Sequence, residues 1–217
     1  MSSAARPALP RLIAITDLSV LGAEALVIQL RRLASLARPG SVALLLRDHD
    51  ASGQQRLALG TRLRELTVST GQALWVADRL DLALLLQADG VHLGEASVSA
   101  TEARCLVGDR VLVSRAWHAP ALRGTAASEE LAGVNALLVS PVLDARKGRP
   151  ALGLGALGVL GEQLRARNWA YPLYALGGVC AENAASCLSA GAAGVAAIGA
   201  ALAPDPRPLL NALGALR

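Results

Sequence analysis

The chain has 217 residues, 53% of them hydrophobic, with no Phe, 2% aromatics and a net charge of +4. That length fits one domain with a core of Leu, Val, Ile and Ala. Basic residues stand singly or in pairs and stacking aromatics are scarce, which argues against nucleic acid; no apolar run reaches the length of a membrane span.

Residues 1–10 read as a flexible N-terminal lead, and they lack the apolar stretch of a signal peptide, so a cytoplasmic setting is expected. Apolar runs at 12–15, 42–46, 74–76, 90–92, 111–114, 136–139, 173–175 and 194–198 predict strands. Between them, amphipathic patterns at 23–37, 53–69, 80–87, 100–107, 127–133, 157–166, 181–190 and 206–216 predict helices. Short, nearly continuous apolar strands separated by helices imply a parallel sheet buried on both faces. Eight such units without a composition break favour a closed single-domain (β/α)₈ TIM barrel spanning 1–217. An open Rossmann sheet would want GxGxxG after its first strand, and Thr16-Asp17-Leu18-Ser19 does not supply it. The long connection at 141–153, rich in Pro, Gly and charge, has the character of a lid. The cysteines Cys105, Cys180 and Cys187 have no metal-ligand spacing.

In such a barrel the strand C-termini face the ligand. Two consecutive turns there are rich in bare backbone N–H: Gly177-Gly178 after the seventh strand, and Ile198-Gly199 after the eighth. Paired junctions of this kind hold phosphate monoesters, so a small anionic phosphorylated molecule is the expected partner. Arg47 ends the second strand and suits an anion clamp, the bland option being an ion pair at the rim. Lys147, Arg146 and Arg149 belong either to a solvated lid face or to a lid that closes over an anion. Asp78 either orients a ligand or caps the helix near Leu80. His92, inside a strand, is expected to be packed rather than ligand-facing, and His49 is open between the two. Trp117 either walls the pocket or braces the fifth helix.

The segments Ile13-Ala-Ile-Thr-Asp17, Leu46-Arg47-Asp48, Val76-Ala-Asp78-Arg79, Ala88-Asp-Gly-Val-His-Leu-Gly94, Ser140-Pro-Val142, Gly148-Arg-Pro-Ala-Leu-Gly153, Ala175-Leu-Gly-Gly178 and Gly194-Val-Ala-Ala-Ile198 together resemble the thiamine phosphate synthase and TenI-type thiazole tautomerase superfamily. The resemblance implies a role in thiamin biosynthesis, a thiazole phosphate ligand and a homo-oligomer. The synthase type joins a pyrimidine diphosphate to a thiazole phosphate with Mg²⁺. Its motifs carry Gln, Lys, Asn and Asp where this chain has Leu45, His49, Ala77 and Ser97. The tautomerase type uses no cofactor, and its pattern after the fifth strand matches this chain at Arg115 and His118. The expected reaction is therefore metal-independent tautomerisation with His118 as acid/base. In it Arg47, Lys147 and Arg115 bind the ligand, and Gly177, Gly178, Ile198 and Gly199 hold its phosphate. The alternatives are a divergent synthase with Asp78 as its one Mg²⁺ ligand, and a non-catalytic binding regulator.

Overall fold

A computed structural model describes residues 9–122, 126–146 and 148–217. Its strands are β1 (Leu12–Ile15), β2 (Val42–Leu46), β3 (Ala73–Ala77), β4 (Gly90–Leu93), β5 (Leu112–Trp117), β6 (Ala136–Val139), β7 (Leu173–Leu176) and β8 (Gly194–Ala197). The helices that follow them are α1 (Ala23–Leu36), α2 (Gly53–Thr70), α3 (Leu80–Leu85), α4 (Ala100–Val107), α5 (Ala126–Leu131), α6 (Leu154–Ala166), α7 (Ala181–Ser189) and α8 (Arg207–Ala212). All strand pairs are parallel, and β8 returns to β1 with Leu12 opposite Val195, so the sheet closes into the expected (β/α)₈ barrel.

Alternation along each strand divides the apolar side chains into two cores. Ile13, Leu45, Trp75, Leu138, Tyr174 and Ala196 point into the barrel. Leu12, Leu44, Val76, Val91, Val113 and Val195 point outward and pack beneath the helices. Two aromatics fill the lower interior, and each needs a glycine beside it. A Cβ on Gly90 would lie 2.5 Å from the Trp75 ring, and one on Gly194 would lie 2.7 Å from that of Tyr174. Local signals set the helix ends: Ser52 with Gln55 and Ser99 with Glu102 form capping boxes for α2 and α4. Gly71, at φ +69°, takes the left-handed turn that ends α2.

The structure departs from the sequence-based bounds in instructive places. Strand β5 runs on to Trp117, because its ladder to β6 continues through Arg115, Ala116 and Trp117 although the apolar run stops at Val113. Helix α6 begins at Leu154 rather than 157, its first turn masked by Gly155 and Gly158. Helix α8 stops at Ala212, and Gly214, at φ +61°, turns the chain. Of the expected flexible lead, residues 1–8 lie outside the described residues, while Pro10 is buried and its carbonyl accepts the Tyr174 hydroxyl.

Overfilling the plugged lower interior should be costly. Gly90→Ala is expected to lose about 1–3 kcal/mol, lowering the thermal midpoint by several degrees. Gly22→Ala, whose added Cβ meets nothing within 4 Å, should stay close to wild type in the same urea and thermal melts.

Candidate active site

A cavity of about 340 Å³ opens at the C-terminal end of the strands. Its floor is apolar, made by Ile15, Leu45, Ala77, Leu138, Leu176 and Ile198. Around that floor stand Arg47, His49, Asp78, His92, Glu95, His118, Ser140, Arg146 and Arg149. An apolar seat with three arginines at its rim suits a flat heterocycle carrying anionic groups.

Arg47 is held by its main chain. Its N–H donates to the Thr16 hydroxyl at 3.0 Å, and that buried hydroxyl in turn donates to the Asp48 carboxylate. Asp48 also accepts the Leu18 N–H at 2.6 Å, which ties the β1 and β2 ends together. The Arg47 guanidinium is 3.8 Å from Asp17 and its Nε is buried without an acceptor.

Asp78 adopts φ +60°, a left-handed backbone that few side chains other than Asn and Asp tolerate. Its Oδ1 accepts the Gly94 N–H at 3.1 Å and the Ser97 hydroxyl, while Oδ2 lies 4.0 Å from His49 Nδ1. The carboxylate does not cap α3, whose first turn has Arg79 at the cap position and no side-chain cap. Asp78 instead turns a fixed carboxylate oxygen toward the mouth.

Two histidines share the cavity. His118 Nδ1 lies 2.7 Å from the Ser140 carbonyl. A carbonyl can only accept, so Nδ1 keeps its proton and Nε2 is the nitrogen left to exchange one. His92 Nδ1 meets the Ser114 hydroxyl at 3.0 Å. Burial, helped by the nearby charges of His118, Arg115 and Arg47 and opposed by Asp78, pushes the His92 pKa down to about 4. The expectation that His92 is merely packed gives way here: its side chain points inward from β4, directly below Gly94, and reaches the cavity wall.

The glycine turns lie at the ends of β7 and β8. Gly177 (φ +101°) and Gly178 (φ +73°) bend the chain after β7, and Gly199 is open to solvent after β8. Among the described residues the N–H groups of Gly178, Gly199 and Ala200 have no acceptor. The β6–α6 connection packs over the first turn. Leu143 N–H donates to Gly177 at 3.0 Å, and a Cβ on Gly178 would fall 2.6 Å from the Asp144 carboxyl carbon. Farther along, Arg146 and Arg149 exchange backbone hydrogen bonds in a small hairpin. Arg149 reaches across the mouth to Glu95 at 2.5 Å.

Of the residues singled out from sequence, Arg47, Asp78, His118, Gly177 and Ile198 line the cavity, and Gly178 and Gly199 flank it. Arg115 does not reach it. Alternation along β5 sends its side chain outward, where it donates to the Val98 carbonyl at 2.8 Å and braces the β4–α4 loop. Trp117, also outward, is buried among the helices rather than walling the pocket. Lys147 lies outside the described residues. Sequence reasoning leaves Arg146 and Arg149 undecided and passes over Ser140. The pairing of Ser140 with His118 comes from neighbouring strand ends and has no spacing signal. Among the described residues no three His, Cys, Asp or Glu side chains gather as a metal site, and no helix is long and apolar enough to cross a membrane.

A family model described as thiamine monophosphate synthase matches residues 12–201. A thiamine-phosphate synthase of Roseiflexus sp. (strain RS-1) is 37% identical over 205 residues, covering 93% of this chain and 83% of that one. A thiamine-phosphate synthase of Thermus thermophilus is 40% identical, covering 80% of this chain and 82% of its own. Among solved structures, a thiamine phosphate pyrophosphorylase from Pyrococcus furiosus superposes with a TM-score of 0.77 at 25% identity, covering 94% and 95% of the two chains. A 3-hexulose-6-phosphate synthase, at TM-score 0.60 and 19% identity, shares the fold.

The depressed His92 pKa has a stability consequence of definite sign. Unfolded chain takes up this proton near 6.5, whereas the folded site resists until about 4, so stability is full above pH 6.5 and falls as pH drops toward 4. Thermal melts at pH 7 and pH 5 should show a larger loss for wild type than for His92→Gln.

Proposed function

The chain belongs to the thiamine monophosphate synthase family, and we propose that it joins a pyrimidine diphosphate to a thiazole phosphate, releasing diphosphate. The observation that carries this is Asp78, a carboxylate fixed in a left-handed backbone by Gly94 and Ser97 with one oxygen turned to the mouth. A carboxylate so placed among Arg47, Arg146 and Arg149 would repel a diphosphate unless a cation sat between them. The names of the relatives favour the same reaction over the tautomerisation expected from the sequence.

One carboxylate oxygen plus substrate oxygens is a donor set that Mg²⁺ accepts. Asp78 Oδ2 would hold the ion, which would supply charge neutralisation for the departing diphosphate. The remaining work belongs to the protein. Arg47 offers its guanidinium to the diphosphate, with Arg146 and Arg149 adding positive potential from the lid. The apolar floor seats the pyrimidine and keeps water from the carbon that loses diphosphate. Across the cavity, amide N–H groups of Gly178, Gly199 and Ala200 receive the thiazole phosphate. That anchors the ring so that its nitrogen lone pair forms the new C–N bond as the C–O bond to diphosphate breaks. Leu45, Ala77 and Ser97 supply apolar contact or a hydroxyl where the family motifs carry polar groups, which weakens the hold on diphosphate and leaves more of it to the arginines.

A second reading, metal-independent tautomerisation of a thiazole phosphate carboxylate, is favoured by one observation. His118 has Nδ1–H fixed on Ser140, leaving Nε2 as a proton carrier.

The two readings separate by experiment. With Mg²⁺ present, purified protein should convert the two phosphorylated heterocycles to thiamine phosphate. Asp78→Asn should lower kcat/KM by about a hundredfold, and more than His118→Ala does. Metal-free isomerisation of the thiazole carboxylate, lost in His118→Ala and retained in Asp78→Asn, would replace the first reading by the second. Tight binding without turnover in either assay would leave a binding protein. The Asp144 carboxylate beside Gly178 also repels an incoming phosphate, so Asp144→Asn should lower KM for the thiazole phosphate a few-fold, an effect that shrinks as salt is raised.

A further inference from the structure

The cavity floor is apolar except at His92, and the hydrogen bonds behind that ring fix what it offers. Ser114 Oγ, fully buried, is 3.3 Å from the Val91 carbonyl and 3.0 Å from His92 Nδ1. The carbonyl can only accept, so the single hydroxyl proton goes to Val91. Ser114 is then an acceptor toward His92, and Nδ1 must carry the ring proton. Nε2 is left with its lone pair, on the ring that borders the cavity beside Ala77, Leu45 and Ile15.

We propose that His92 Nε2, oriented by Ser114, is the specificity-determining acceptor of the floor, selecting a heterocycle that presents an amino or ring N–H donor. The inference rests on the proposed synthase reaction and assigns its two rings to two seats. A thiazole carries a ring nitrogen and a sulfur but no N–H, so it gains nothing at this point. An amino-substituted pyrimidine donates to Nε2, and a pyrimidine with a methyl group there would leave the buried lone pair unsatisfied. Leu45 and Ala77, beside it in the cavity lining, offer no competing polar contact.

The test is calorimetric titration of the full-length protein, in Mg²⁺, with a 4-aminopyrimidine carrying a 5-methylene phosphate and with its 4-methyl counterpart. Wild type should prefer the amino compound about tenfold. In His92→Leu the ratio should fall to about one, and in His92→Gln, whose amide oxygen still accepts, it should partly return. Ser114→Ala removes the group that fixes the ring proton and should reduce the ratio at least threefold. Its circular dichroism and its affinity for thiazole phosphate should stay unchanged, which a general loosening of the fold would not allow. A wild-type ratio near one, or a tenfold ratio kept in His92→Leu or Ser114→Ala, would overturn the inference while leaving the synthase reaction intact. If thiazole phosphate binds and neither pyrimidine does, the synthase reaction fails and the inference falls with it.

Discussion

Strand alternation in a closed barrel is the constraint on which the rest depends. Once β8 pairs with β1, every strand has an inside and an outside, and a one-residue step moves a side chain from ligand to helix packing. Ser114 and Ala116 face inward while Arg115 and Trp117 face the helices, so adjacent residues of one strand have unrelated duties. Inward positions near the base are occupied by Trp75 and Tyr174, and those near the top by small or aliphatic residues, which is why the hollow lies at the strand C-termini.

Much of this is legible in the sequence. Strands β1, β2 and β6 and helix α4 coincide with their apolar patterns, because continuous hydrophobic runs bounded by glycine or polar residues leave little choice. Arg47, Asp78, His118 and the glycine turns stand out as residues at strand ends, a position that chain order alone supplies. Arg115 is misjudged because motif matching ignores alternation once a strand runs past its apolar segment. The exposure of His92 to the cavity is hidden by its place inside an apolar string. Contacts made through space, such as Ser97 on Asp78, Ser140 on His118 or Asp144 on Gly178, depend on loops meeting across strands and have no signature in spacing.

The electrostatic plan of the site is divided. Thr16 and Asp48 immobilise the Arg47 backbone from below, and its side chain lines the cavity. At the ends of β7 and β8 the Gly178, Gly199 and Ala200 N–H groups have no acceptor among the described residues, and the positive φ of Gly177 and Gly178 shapes the first of these turns beside the Asp144 carboxylate. On the proposed function, one anionic end of a ligand would be met by a full charge and the other by oriented dipoles. The reaction suited to that arrangement follows from what stands between them: a fixed carboxylate at the rim, an imidazole held in one tautomer by a carbonyl, and a second imidazole kept neutral by burial.

The Trp75 and Tyr174 rings, wedged against Gly90 and Gly194, stopper the barrel from beneath. Among the described residues the cavity therefore opens at the strand ends, where Arg149 and Glu95 are clasped across the threshold. Two bulky rings set far below the cavity thus decide at which end of the barrel it opens.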